Sequence, residues 1–120
     1  MRTFAGMKID PSSMLTAADA ACDLLKAMAS RNRLMLLCQL LDGEKSVGEL
    51  ARALSLREAN ASQHLALLRK DRLVTTRREA QTIYYALAIG PAREVMETLY
   101  RAYCAPKASG LPNDPESGGE

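Results

Sequence analysis

At 120 residues the chain has room for one domain and one modest core, a size at which a partner chain often completes the burial. It is 48% hydrophobic but only 4% aromatic, and its apolar residues are mainly Leu, Ala and Met, a set that points to a mostly helical domain. The formal net charge of +2 decides nothing by itself, but no apolar run is long enough to span a membrane and MRTFAGMKIDPSSM lacks a signal-peptide core, so a cytoplasmic chain with thiol cysteines is expected.

Residues 1–13 read as a flexible N-terminal arm, with Pro11-Ser12-Ser13 as a break or helix start. Residues 15–28 read as a first helix, with Leu15, Ala18, Cys22, Leu25 and Met28 at helical spacing. Ser30 is suited to cap a second helix that runs through Leu41 and carries Leu34, Leu37, Cys38 and Leu41 on one face. Asp42-Gly43-Glu44 ends it, with Gly43 fitted to the left-handed position beyond a helix end. Ser46 opens a third helix through Ala53, and Glu49 three residues later completes a capping box, with Val47, Leu50, Ala51 and Leu54 inward.

A fourth helix spans Arg57 to Lys70 with Ala61, Leu65 and Leu68 inward, and Asp71-Arg72 is a turn. Two runs rich in Val, Thr, Ile and Tyr, residues 73–78 and 82–87, read as strands joined by Glu79-Ala80-Gln81. Gly90-Pro91 starts a last helix that reaches Cys104, with Val95, Met96, Leu99, Tyr100 and Tyr103 as its apolar side. Pro106 stops it, and residues 105–120, with almost no large apolar side chain, read as a disordered tail. The expected fold is mainly α with a small β-hairpin wing, an α+β winged helix-turn-helix over residues 14–104 in the order α-α-α-α-β-β-α.

That layout sets one helix in a DNA major groove. The charge distribution agrees with it. From Arg52 to Arg78 there are seven basic and two acidic residues, a local +5, while the rest of the chain carries −3. On the fourth helix, Asn60, Ser62, Gln63 and His64 are the groove-facing candidates, with Lys70 beside them, because Asn and Gln can pair bidentately with adenine and Ser and His can bond bases or phosphates. Arg77, Arg78 and Gln81 are placed at the wing tip, within reach of phosphates or a neighbouring minor groove. His64 is the single histidine, so an imidazole-rich metal site has no second member, and a nucleophilic enzyme has no His with an Asp or Asn orienter. No metal, cofactor or catalytic residue is expected.

These segments carry a resemblance. SVGELARAL, the run NASQHLALLRKDRLV with Ser62-Gln63-His64-Leu65 as its S-x-H-L element, and the closing IYYAL resemble the ArsR/SmtB family of dimeric winged-helix repressors over about residues 15 to 104. The resemblance implies a homodimer paired through the first and last helices, binding to double-stranded operator DNA, and release when an inducer binds. The residues agree independently: both helices have wide apolar faces that one small domain would struggle to cover. A two-fold dimer calls for an imperfect palindrome with half-sites about one helical turn apart.

Family members that sense metals carry a Cys-x-Cys-type motif at the start of the third helix, where this chain has Ser46-Val47-Gly48-Glu49-Leu50. The last helix offers Glu94 and Glu97 as its acids and lacks the family's spaced zinc ligands. Cys38 in LMLLCQLL and Cys104 in LYRAYCAP instead resemble the sulfide- and persulfide-responsive subgroup of the BigR/SqrR type. That resemblance implies that reactive sulfur species act as inducer by linking Cys38 to Cys104 through a disulfide or polysulfide bridge, which releases DNA. Cys22 matches neither position and is accessory. Other readings stand beside this one: by its spacing alone Cys38, on an apolar helical face, reads as a packing residue; a thiolate metal sensor using the three cysteines is the other regulator class; and a winged helix that binds protein and no longer reads DNA is opposed by the charge peak over residues 52–78.

Overall fold

The computed structural model describes residues 8–104. Five helices, α1 (Pro11–Met28), α2 (Arg31–Gln39), α3 (Val47–Leu54), α4 (Glu58–Lys70) and α5 (Pro91–Tyr103), combine with three strands, β1 (Lys45–Ser46), β2 (Val74–Glu79) and β3 (Thr82–Leu87). A single 3-10 turn, Leu40–Asp42, prolongs α2. This is the expected winged helix-turn-helix with one addition. The wing is a three-stranded antiparallel sheet in the order β1-β3-β2 and not a bare hairpin. Lys45 pairs with Tyr85 and Ser46 with Tyr84, a strand too short to show the alternation by which strands are read from sequence.

Local chemistry sets the helix ends. Asp10 caps α1 by accepting from the Ser12 N–H at 3.1 Å, and Pro11 takes the first helical position. Pro11 to Ser13 are therefore helical and not part of an arm, while residues 1–7 and the tail at 105–120 lie outside the described residues. Ser30 accepts from the Arg33 N–H as expected. The capping box of α3 is complete: Ser46 Oγ accepts from the Glu49 N–H at 3.2 Å and Glu49 Oε1 accepts from the Ser46 N–H at 2.8 Å.

The turn between α3 and α4 is made without glycine. Ser55 takes the left-handed conformation (φ 56°, ψ 42°), and the Leu56 N–H closes onto the Ala51 carbonyl at 2.9 Å. Arg72 repeats the device after α4, with the Leu73 N–H bonded to the Leu68 carbonyl at 2.9 Å. Gly43, at φ 142° and ψ 172°, has positive φ but not the left-handed helical conformation expected for it. The wing turn is Ala80–Gln81 alone, because Glu79 pairs with Thr82.

The core is a cluster in which Leu36, Leu37, Leu40, Leu50, Leu65 and Leu68 are the fully buried large side chains. They come from α2, its 3-10 extension, α3 and α4, and Met28 and Met96 bring in α1 and α5. The buried face of α2 is thus rotated from the expected one: Leu37 is buried, but Leu34, Cys38 and Leu41 pack only partly against the core. The expected inward stripe of α1 is largely outside. Leu15 is 77% and Leu25 55% exposed, Cys22 is exposed, and only the last turn, Ala27 and Met28, is buried. No helix among the described residues is long and apolar enough to cross a membrane.

Candidate nucleic-acid interface and thiol cavity

Ala61, Leu65 and Leu68 recur at helical spacing along α4, and each is fully buried, which pins one side of the helix to the core. That burial turns Asn60, Ser62, Gln63 and Lys70 outward, and all four are exposed. His64 is half-buried, and its Nδ1 is enclosed without a hydrogen-bond partner. Gly48 lies where α3 meets the start of α4: a Cβ there would stand 3.2 Å from Glu58 Oε2 and 3.4 Å from Arg52 Nη1.

The three wing candidates differ in their engagements. Arg78 and Gln81 are exposed, and Arg78 donates weakly to the Ala80 carbonyl at 3.4 Å. Arg77 is held. Its Nη2 donates to Glu44 Oε2 at 2.6 Å and its Nε to Glu44 Oε1 at 3.2 Å, while Nη1 donates to Glu79 Oε1 at 2.8 Å. Its guanidinium also lies 4.8 Å from the ring centroid of Tyr84, its cross-strand partner. The bond from Arg77 holds the Glu44 carboxyl below the usual carboxylate range, and Arg77 itself is pushed upward by Glu44 and then Glu79. Reading along the chain missed Glu44, which stands 33 residues from Arg77 and meets it only because β1 joins the wing.

Cys38 and Cys104 come from α2 and the end of α5, and both line one cavity of about 240 Å³. The remaining walls are Leu34, Met35, Met96, Leu99, Tyr100 and Tyr103, which present only carbon and sulfur to the space. Cys104 ends α5, where its N–H donates to the Tyr100 carbonyl at 2.8 Å, and it is exposed. Cys38 is partly buried. Burial pushes its thiol pKa up, and the neighbouring Cys104 and then Asp42 add to the rise. A second hollow on the other side of Cys38 is lined by Gln39, Leu41, Asp42 and Tyr100. Cys22 lines neither. All three cysteines are free thiols.

Lys45 connects the thiol end of α2 to the sheet. Its Nζ donates to the Gln39 carbonyl at 2.6 Å and to Asp42, while its backbone pairs with Tyr85 in β3. Among the described residues no group of three or more His, Cys, Asp or Glu side chains is gathered closely enough to hold a metal ion.

Residues 30–76 match a family model described as bacterial regulatory protein, arsR family. Over 81 residues the chain is 54% identical to the transcriptional activator HlyU of Vibrio cholerae, covering 68% of this chain and 75% of that protein. The solved structure of reduced HlyU gives a TM-score of 0.74 at 49% identity and covers 78% of this chain and 98% of that one. A biofilm growth-associated repressor of Agrobacterium fabrum is 49% identical over 84 residues, 70% of this chain and 72% of the relative. The crystal structure of the transcriptional repressor BigR from Xylella fastidiosa gives a TM-score of 0.74 at 36% identity, covering 82% of this chain and all (100%) of that one.

Proposed function

The chain belongs to the ArsR family of bacterial transcriptional regulators, and from that premise we propose that it is a dimeric operator-binding repressor that lets go of DNA when a reactive sulfur species links Cys38 to Cys104. The observation that carries the reading is the shared cavity: two thiols far apart in sequence, on α2 and at the end of α5, face one small apolar space. A packing role would account for Cys38, but it gives no reason for an exposed Cys104 on the same wall.

The chemistry balances without a metal or a second protein. One thiolate attacks the outer sulfur of a hydropersulfide R–S–SH, taking that sulfur as Cys–S–SH and releasing R–SH. The second thiolate attacks the inner sulfur, forming Cys–S–S–Cys and releasing hydrogen sulfide. The two thiols lose two electrons and the donor's sulfane sulfur gains them. Two further donors, each leaving as R–SH, would insert two sulfurs and give a tetrasulfide. Extra sulfurs relax the requirement that a plain disulfide places on the Cα separation, about 7 Å at most.

DNA binding is supported by the exposed polar side of α4 with Asn60, Ser62, Gln63 and Lys70, by His64 on its flank, and by Arg78 and Gln81 on the wing. A homodimer through α1 and α5 is supported by the apolar side chains these helices leave outside, including Leu15, Leu25, Tyr100 (43% exposed) and Tyr103 (62% exposed). Such a dimer reads an imperfect palindrome, and an operator as target places the protein in the cytoplasm.

The link acts as a two-state switch. Tying α2 to α5 joins the core to the dimer-forming helix, and small helix shifts there change the spacing of the two α4 helices. The link must be more favourable in the low-affinity arrangement, or the equilibrium would not move. A thiolate metal sensor, the other regulator class, finds no gathered ligand set among the described residues. The test is operator release by a persulfide donor from the wild type, Cys38→Ser and Cys104→Ser. Both variants are expected to bind DNA and to resist release. Loss of binding in both reduced variants would make the cysteines structural.

A further inference from the structure

The end of α2 that carries Cys38 has no basic residue in its last turn. The helical ladder tightens there: the Leu40 N–H bonds back to the Leu37 carbonyl, and the 3-10 turn Leu40–Asp42 follows. Gly43 comes next, at φ 142°, with nothing within 4 Å of where a Cβ would stand. A 3-10 turn running into an unconfined glycine is a hinge between Cys38 and the wing. One side chain bridges it. Lys45 Nζ reaches back six residues to donate to the Gln39 carbonyl at 2.6 Å, and it also donates to Asp42. It supplies the cation that the helix end lacks. The Lys45 side chain is 24% exposed and that of Asp42 83%, so the bond to Gln39 is the sheltered one of the two.

Two consecutive residues thus hold two different parts of the molecule. Lys45 holds the helix end beside Cys38, while its backbone pairs with Tyr85 in β3. Glu44 holds Arg77 of β2, whose guanidinium lies over Tyr84. Building on the thiol switch, and resting on it for the event at Cys38, we propose that Lys45 is the positioning residue that carries a shift of the α2 end into the wing. With the bridge in place the hinge cannot absorb the shift. It passes to β1 and then, through the β1–β3 pairing and the Glu44–Arg77 pair, to the strand that carries Arg77 and Arg78. Without the bridge, the 3-10 turn and Gly43 take up the motion and the wing stays in place. The residues of this route belong to α2, the segment after it and the three strands, outside the two helices that pair in the dimer.

Lys45→Met keeps the aliphatic stem and the backbone pairing and removes the cationic donor, while Lys45→Arg keeps a donor. Operator affinity of the full chain is measured in the reduced state and after treatment with a small neutral hydropersulfide, with the link confirmed by peptide mass spectrometry. The quantity read is the ratio of the linked to the reduced Kd. A purely structural role would raise both constants and leave the ratio, whereas loss of the bridge lowers the ratio itself. Lys45→Met is expected to lower it by about threefold or more, and Lys45→Arg to keep it. Amide hydrogen exchange in β1 and β3 gives a reading without DNA. Linking is expected to raise that exchange in the wild type and not in Lys45→Met.

An unchanged ratio in Lys45→Met, a ratio lost in Lys45→Arg as well, or equal exchange responses would overturn the role of Lys45. Failure of this role and failure of the switch are separable. A wild type that links and lets go of DNA, with Lys45→Met doing so equally, keeps the switch and loses the role of Lys45. A wild type that forms no link, or that keeps DNA when linked, loses the switch. The role of Lys45 is then read from Cys38→Phe, whose larger side chain presses on the same helix end. Cys38→Phe is expected to raise exchange in β1 and β3 when Lys45 is present and not when combined with Lys45→Met. Equal responses in the two backgrounds, or none in either, would overturn it.

Discussion

Arg77 and Glu44 form a two-point ion pair, at 2.6 Å and 3.2 Å, that fastens the wing to the segment leading out of α2. An arginine expected to reach for phosphate is thus occupied by protein carboxylates, with Glu79 as a second holder. Glu44 follows the 3-10 turn that carries Asp42, so the pair joins the wing to the segment beside Cys38.

Glu44→Gln removes half of that competition. The variant is expected to bind duplex DNA more tightly by a few-fold, and its log–log salt dependence to steepen by up to about one phosphate contact. Titrations at several salt concentrations check this. Thermal stability is expected to change little, because the pair is exposed to solvent.

On α4 the expected losses differ in kind. Gln63→Ala removes a group proposed to read a base edge and is expected to cost about 1–3 kcal/mol on the operator while leaving non-specific binding nearly unchanged. Lys70→Ala is expected to weaken operator and random duplex alike and to flatten the salt slope by about one. Parallel binding curves on both duplexes separate the two.

Ala80 occupies a left-handed backbone conformation, φ 57°, at the wing turn, which costs an L-residue roughly 1–2 kcal/mol. Ala80→Gly relieves that strain and gives back part of it as unfolded-chain entropy, for a net gain of up to about 1 kcal/mol. Denaturant midpoints at unchanged m-value check it. A lower midpoint would show that the methyl group makes a contact worth more than the strain.

The raised pKa of Cys38 has a kinetic sign. Less thiolate is present near neutrality, so alkylation of Cys38 by iodoacetamide is expected to climb with pH toward a midpoint above that of an ordinary thiol. Burial is the largest cause and stays in place when neighbours are changed, so Cys104→Ser and Asp42→Asn are each expected to lower the midpoint only in part. Rate–pH profiles of the three proteins check the order.

Much of this architecture was legible in the sequence because single residues announce it. The Ser46–Glu49 capping box, Pro91 at the start of α5, and the buried triad Ala61, Leu65 and Leu68 of α4 lie where reading along the chain puts them. Misses arose where the cause is tertiary. The strand Lys45–Ser46 exists only through its pairing with β3, and the hold of Glu44 on Arg77 follows from it. The α2 face differed because Leu36 and Leu40 are fully buried while Leu34 and Leu41 pack only partly against the core, and the unbroken apolar run from Leu34 to Cys38 does not reveal the helix phase. The wall shared by Cys38 and Cys104 was suggested by resemblance alone, since no periodicity relates two residues on separate helices.

Peptide-mapped mass spectrometry of the reduced protein after treatment with a small neutral hydropersulfide tests the central claim most directly. A species joining the Cys38 and Cys104 peptides, as a disulfide or with added sulfur and with Cys22 outside the link, is the result expected. Unmodified thiols at both positions, under conditions that modify Cys22, would contradict it and return Cys38 to a packing role.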